Sequence, residues 1–189
     1  MKSVTVKSRA ELRAWLEAHH HEQESVWLVT FKKPSEHHVP WSDVVDEALC
    51  FGYIDSQPKL LDDERSMLRL SPRSEKSGWS GINKQKIERL TAAGLMTAAG
   101  LAAVERAKAN GTWTLLDGAT ALEIPEDLAE KLDALPPARE RFEAFPKSVR
   151  RAILEWIASA KKPETRARRV EETASKAQHN ERANQWKKP

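Results

Sequence analysis

Residues 26–32 read Val-Trp-Leu-Val-Thr-Phe-Lys and carry the strongest strand signal in the chain. β-Branched and aromatic side chains fill this run, and they suit a pleated, half-buried surface. Pro34 stops it. Working outward, residues 4–7 read as an edge strand, and residues 59–61 and 66–70 flank Asp62-Asp63-Glu64 as a hairpin. Ser8 caps a helix with Leu12, Trp15 and Leu16 on one face. Ser42 caps a second, with Val45, Leu49 and Phe51 inward, which closes at Gly52, a residue that tolerates positive φ. These elements predict an α+β fold built on a small antiparallel sheet with covering helices.

Past Ser80 the periodicity is helical throughout, so the C-terminal half is expected to be all-helical. One helix runs to about Ala93 with Ile82, Ile87 and Leu90 inward, and a second starts near Thr97 with Leu101 and Val104. Pro125 opens a third, whose Glu126 and Asp127 suit the positive end of the helix dipole. Pro136-Pro137 divide it from a fourth carrying Phe142 and Phe145. The fifth has the clearest stripe: Val149, Ile153, Trp156, Ile157 and Ala160. A last basic helix from about Glu164 offers only Ala167, Val170, Ala174 and Ala177 as an inward face. The expected organisation is an α+β domain over residues 1–115, a helical module over 120–180, and a flexible tail over 181–189.

A length of 189 residues is ample for a core. No apolar run approaches the roughly 20 residues that cross a bilayer, so no membrane span is expected. The first residues lack the apolar segment of a secretory signal, and Cys50 is the single cysteine. Both features point to a cytoplasmic location. Residues 146–189 hold twelve Lys/Arg against five Asp/Glu, a net of +7, whereas residues 91–145 hold five against nine, a net of −4. Such neighbours are expected to pair, with Arg166 or Arg169 reaching toward acidic residues 123–143 or onto an anion site formed between residues 46 and 84. Nucleic-acid binding by the basic helix is disfavoured, because Glu171 and Glu172 dilute its charge and only Trp186 is near to stack on a base. The oligomeric state is left open.

Chemistry concentrates between residues 46 and 84, in DEALCFGYIDS (46–56) and RLSPRSEKSGWSGINK (69–84). Arg69, Arg73, Lys76 and Lys84 face only Glu75, and Ser71, Ser74, Ser77 and Ser80 lie between them. A strand end, a Pro72 bend and a helix start would gather N–H groups, hydroxyls and cations, which suits a small anion. The plainer reading is a serine cap, a Trp79 staple and solvated cations. Tyr53, Asp55, Trp79 and Asn83 complete the candidate ligand-binding set of Tyr53, Asp55, Arg69, Ser71, Arg73, Lys76, Ser77, Trp79, Ser80, Asn83 and Lys84.

Glu47 and Asp55 are the carboxylates a base would need, although pairing of Asp55 with Arg69 or Arg73 accounts for it as well. A convergent carboxylate free of arginine would favour an enzyme, and one tied to arginine a binder. Cys50 sits in an apolar helix far in sequence from any histidine and reads as a buried thiol. His19-His20-His21 cannot converge on one ion from consecutive helical positions, so no metal is expected. No cofactor is expected either, since phosphate-loop and dinucleotide motifs are missing from the sequence.

The blocks 46–56 and 71–84 resemble the EALCFGWIDS and SPRKPKSxWSxINK segments of the YdeI/OmpD-associated, or bacteriocin-protection, family. Lys161-Lys162-Pro163-Glu164-Thr165-Arg166-Ala167-Arg168-Arg169 resembles its AKRPETRARR segment. The likeness runs from about Trp15 to about Gln178, with Tyr53 standing where relatives often have Trp. The resemblance implies a cytosolic protein that binds a small anion or protects against stress or antimicrobial peptides, with the helical module as a lid or partner surface. The alternative is an enzyme acting on an anionic small molecule in the same pocket.

Overall fold

The structure, a computed structural model, describes residues 2–185. The chain divides into two compact units: residues up to Ser77 with Ile82–Asn110, and Gly78–Gly81 with residues from Gly111 onward.

In the first unit β1 (Ser3–Thr5), α1 (Arg9–His19), β2 (Val26–Phe31), α2 (Trp41–Cys50), β3 (Tyr53–Leu60) and β4 (Arg65–Pro72) are followed by α3 (Gly81–Ala92) and α4 (Ala98–Ala109). The strand order is β1-β2-β4-β3, and the α+β class is as expected. The sheet is mixed rather than purely antiparallel. β1 pairs parallel with β2, because α1 carries the chain back before β2 begins. Ser8 caps α1 by accepting from Glu11 N at 3.1 Å. Ser42 does not cap α2; Pro40 holds that position and Ser42 lies in the first turn.

Alternation along β2 and β4 turns Val26, Leu28, Leu68 and Leu70 to one face, where each is buried. Leu12, Leu16 and the continuous run Val44–Cys50 are buried as well. A run buried all round must neutralise its charges, and Val44–Cys50 carries two of them. Glu47, 2% exposed, accepts from Arg9 Nε at 2.6 Å and Arg13 Nη1 at 3.0 Å. Asp46 accepts from Lys86 Nζ at 2.6 Å and Arg89 Nη2 at 2.5 Å. Burial alone would raise the Asp46 carboxyl; the hydrogen bonds from Lys86 and Arg89 outweigh it and hold the group below the usual carboxylate range.

α2 ends as the sequence predicts. Gly52 has φ +73°, and a Cβ there would lie 3.2 Å from the Ala103 Cβ. At Gly100 the contact is closer still: a Cβ would sit 2.2 Å from the Cys50 carbonyl oxygen. Thr97 Oγ1 donates to that same oxygen at 2.6 Å. Ile82 and Leu101, expected inward, are 58% and 42% exposed, because α3 and α4 bury Ile87, Leu90, Ala103, Val104 and Ala107 instead.

The second unit comprises α5 (Asp117–Ala121), α6 (Glu126–Asp133), α7 (Ala138–Ala144), α8 (Lys147–Ala158) and α9 (Pro163–Gln178). Leu128, Leu132, Phe142, Ile153, Leu154 and Ile157 form its core. Trp156 packs at the rim of that core rather than inside it, with the Arg169 guanidinium 4.9 Å above its ring. On α9 the inward residues are Val170, Thr173, Ala174 and Ala177, and Ala167 is exposed. Two alanines at 0% exposure let this helix approach its neighbours closely, so the small face packs rather than frays. Ala183, 1% exposed, extends the core past α9 into the segment that was expected to be a flexible tail. The end of that expected tail, with Trp186, lies outside the described residues.

Candidate functional site

The residues singled out between 46 and 84 are distributed over several places. Tyr53 pairs with Pro72 and Asp55 with Leu70, so both belong to the helix-covered face of the sheet. Tyr53 is 1% exposed and its hydroxyl donates to the Glu24 carbonyl at 3.4 Å; burial pushes its phenol up. Asp55 accepts from Trp41 Nε1 at 3.2 Å. Asp55 and Arg69 stand on opposite faces of the sheet, so the expected pair with Arg69 is not made.

Arg69 and Ser71 share the other face. Register places Arg69 opposite Trp27 and brings Ser71 level with Ser25, which precedes β2. Ser25 Oγ donates to Ser71 Oγ at 2.9 Å, and Arg69 Nη2 donates to Ser25 Oγ at 3.4 Å. Arg69 Nε is buried and has no hydrogen-bond partner among the described residues. Arg73, two residues beyond Ser71, continues the ladder by donating its N–H to the Gly52 carbonyl at 2.9 Å. It is 8% exposed. Burial pulls its guanidinium down to about 10 against the opposing field of Asp55, so it stays charged at neutral pH.

Lys76 is exposed in a turn in which Ser77 N donates to the Ser74 carbonyl at 3.0 Å. Asn110 Nδ2 donates to the Glu75 carbonyl at 2.9 Å and ties that turn to the end of α4. Asn83 and Lys84 are half-buried in the first turn of α3. Trp79 and Ser80 belong to the second unit, where Trp79, 1% exposed, packs at 5.1 Å against Trp113. Sequence reasoning missed Ser25; the period-2 alternation of β2, extended back by one residue, would have put it beside Ser71.

The chemical alternatives narrow accordingly. Glu47 is held by two arginines and cannot serve as a free base. Cys50 is fully buried, and burial, with the Glu47 charge adding to it, pushes its thiol up. His19 Nδ1 donates to the Trp15 carbonyl at 2.8 Å and His20 Nδ1 to that of Leu16 at 3.0 Å, so both rings close the end of α1. Among the described residues no cluster of three His, Cys, Asp or Glu could hold a metal. None of their helices is long and apolar enough to cross a membrane. In α9, Arg166 reaches the acidic segment as expected, with Nε 2.7 Å and Nη2 2.9 Å from the Asp127 carboxylate. Arg169 instead donates to the Trp156 carbonyl and to Ser159 Oγ.

Comparison with known proteins agrees with this division. No curated protein and no solved structure matches the chain. Residues 4–103 match the model of a domain of unknown function (DUF8412), and residues 121–180 match the Bacteriocin-protection, YdeI or OmpD-Associated family. The family likeness seen in the sequence is thus carried by the C-terminal block around Pro163–Arg169, while residues 46–84 fall within the other model. Since the first match spans more than half of the chain, the protein belongs to the DUF8412 family, joined to a C-terminal YdeI or OmpD-associated region.

Proposed function

We propose that the protein binds a small oxyanion at Arg69, Ser71 and Ser25, with Arg73 as the second cation, and that it works in the cytoplasm as a binder rather than an enzyme. The observation that carries this reading is the buried Arg69 Nε without a hydrogen-bond partner beside the Ser25–Ser71 hydroxyl pair. A buried donor left unsatisfied costs about 1–3 kcal/mol, and an oxyanion would satisfy it while pairing with the half-buried Arg69 charge. Lys76, Ser77, Asn83 and Lys84 stay in the proposal as residues of the same unit that tune affinity. Binding is favoured over turnover because Glu47 and Cys50 are committed elsewhere and Asp55 lies on the opposite face. The single cysteine supports the cytoplasmic assignment. The C-terminal region's family description suggests that the bound anion serves a protective role.

Inorganic phosphate at about 100 times its dissociation constant should raise stability by ~2.7 kcal/mol. Arg69→Ala should abolish that gain. The comparison is made at matched ionic strength, because excluded anions stabilise any fold. Equal gains in both proteins would remove the site.

A further inference from the structure

The helix-covered face of the sheet is not filled evenly. Val26 and Leu28 are paired with Leu70 and Leu68, but the next row pairs Thr30 with Ser66. These two are smaller, and their hydroxyls stand 3.5 Å apart. A cavity of about 230 Å³ opens over them. Its apolar walls include Val39, Trp41, Val44 and Leu68, and Lys33 and His38 also line it.

The walls are held in place. Trp41 is 50% exposed, which is costly for an indole, yet its Nε1 is bonded to Asp55. His38 Nδ1 donates to the Phe31 carbonyl at 2.7 Å, which fixes the ring. Lys32 is committed, its Nζ lying 2.7 Å from the Asp62 carbonyl and 3.2 Å from that of Asp63. Lys33 forms no ion pair among the described residues. An apolar chamber with a hydroxyl floor and one uncommitted cation matches a molecule with an apolar body and a single negative charge. A dry cavity of about 150 Å³ already admits benzene, so this one has room for a ring bearing a carboxylate. Phosphate would lose its hydration against such walls without enough donors in return.

We propose that this cavity binds a small aryl carboxylate, its ring among Val39, Trp41, Val44 and Leu68 and its carboxylate at Lys33. Asp55 then serves as a positioning residue for Trp41. None of these residues belongs to the Arg69–Ser71 site, so the two proposals stand or fall separately.

Calorimetric titration of the full chain with phenylacetate tests it. The native protein should bind phenylacetate, and Ser66→Leu, which fills the cavity, should abolish binding without lowering the melting temperature. Lys33→Ala, or phenylacetamide in place of the acid, should weaken binding by up to about fivefold, the scale of an exposed ion pair. Arg69→Ala should leave it unchanged. On the native protein, phenylacetate should shift the methyl resonances of Val39, Val44 and Leu68, a readout that holds even if Ser66→Leu fails to fold. No binding at millimolar concentration, equal affinity for acid and amide, undiminished binding by folded Ser66→Leu, loss in Arg69→Ala, or unmoved methyl resonances would overturn the proposal.

Discussion

Ser25 Oγ donates to Ser71 Oγ at 2.9 Å, joining β4 to the residue that precedes β2. This pair sits beside the Arg69 guanidinium, whose Nη2 reaches Ser25. Two hydroxyls and a guanidinium at the end of a sheet can rearrange around an oxyanion without disturbing the apolar row on the opposite face. Removing both hydroxyls, Ser25→Ala with Ser71→Ala, should therefore cost the unliganded protein only about 1 kcal/mol. It should weaken phosphate binding at least tenfold by calorimetry.

The buried carboxylates of α2 predict the reverse pattern. Glu47→Ala leaves Arg9 and Arg13 without their buried partner and should cost about 3–5 kcal/mol in urea unfolding, with no effect on phosphate affinity in the fraction that folds.

Asp46 gives a pH signature. Its carboxyl is held below the usual carboxylate range in the folded state, so its contribution to stability is present above the unfolded value and is lost as pH falls through the folded one. Thermal unfolding from pH 5 to pH 2 should show that loss in the native protein. Asp46→Asn should be less stable at pH 7 and flatter over the acid range.

The close approach at Gly100 makes the α2 to α4 packing testable without touching a charge. Gly100→Ala would bring a Cβ against the Cys50 carbonyl oxygen and should cost about 3 kcal/mol, more than the helix propensity of alanine can offset. A melting temperature equal to that of the native protein would show α4 to be loosely seated.

How much of this was legible depended on whether the deciding interactions were local. β2 was readable because its run of β-branched and aromatic residues is a property of consecutive positions, and the turn at Gly52 because one residue carries it. The parallel pairing of β1 was not, since it depends on where α1 returns the chain. Trp156 satisfied the periodicity of α8, yet it ended at the rim because Ile153, Leu154 and Ile157 fill the inside; Phe142→Ala should consequently destabilise by about 3–5 kcal/mol and Trp156→Ala by less. For the site, the basic and hydroxylated composition of residues 69–84 was visible. Which of those residues meet was decided by strand register, which separated Asp55 from Arg69 and brought in Ser25.

The position of the anion can be seen in the anomalous difference map of crystals grown with selenate. The peak should lie within hydrogen-bonding distance of the Arg69 guanidinium and the Ser71 hydroxyl, and it should vanish in Arg69→Ala crystals under the same conditions. A native crystal with no peak there, or with its strongest peak elsewhere on the protein, would contradict the account.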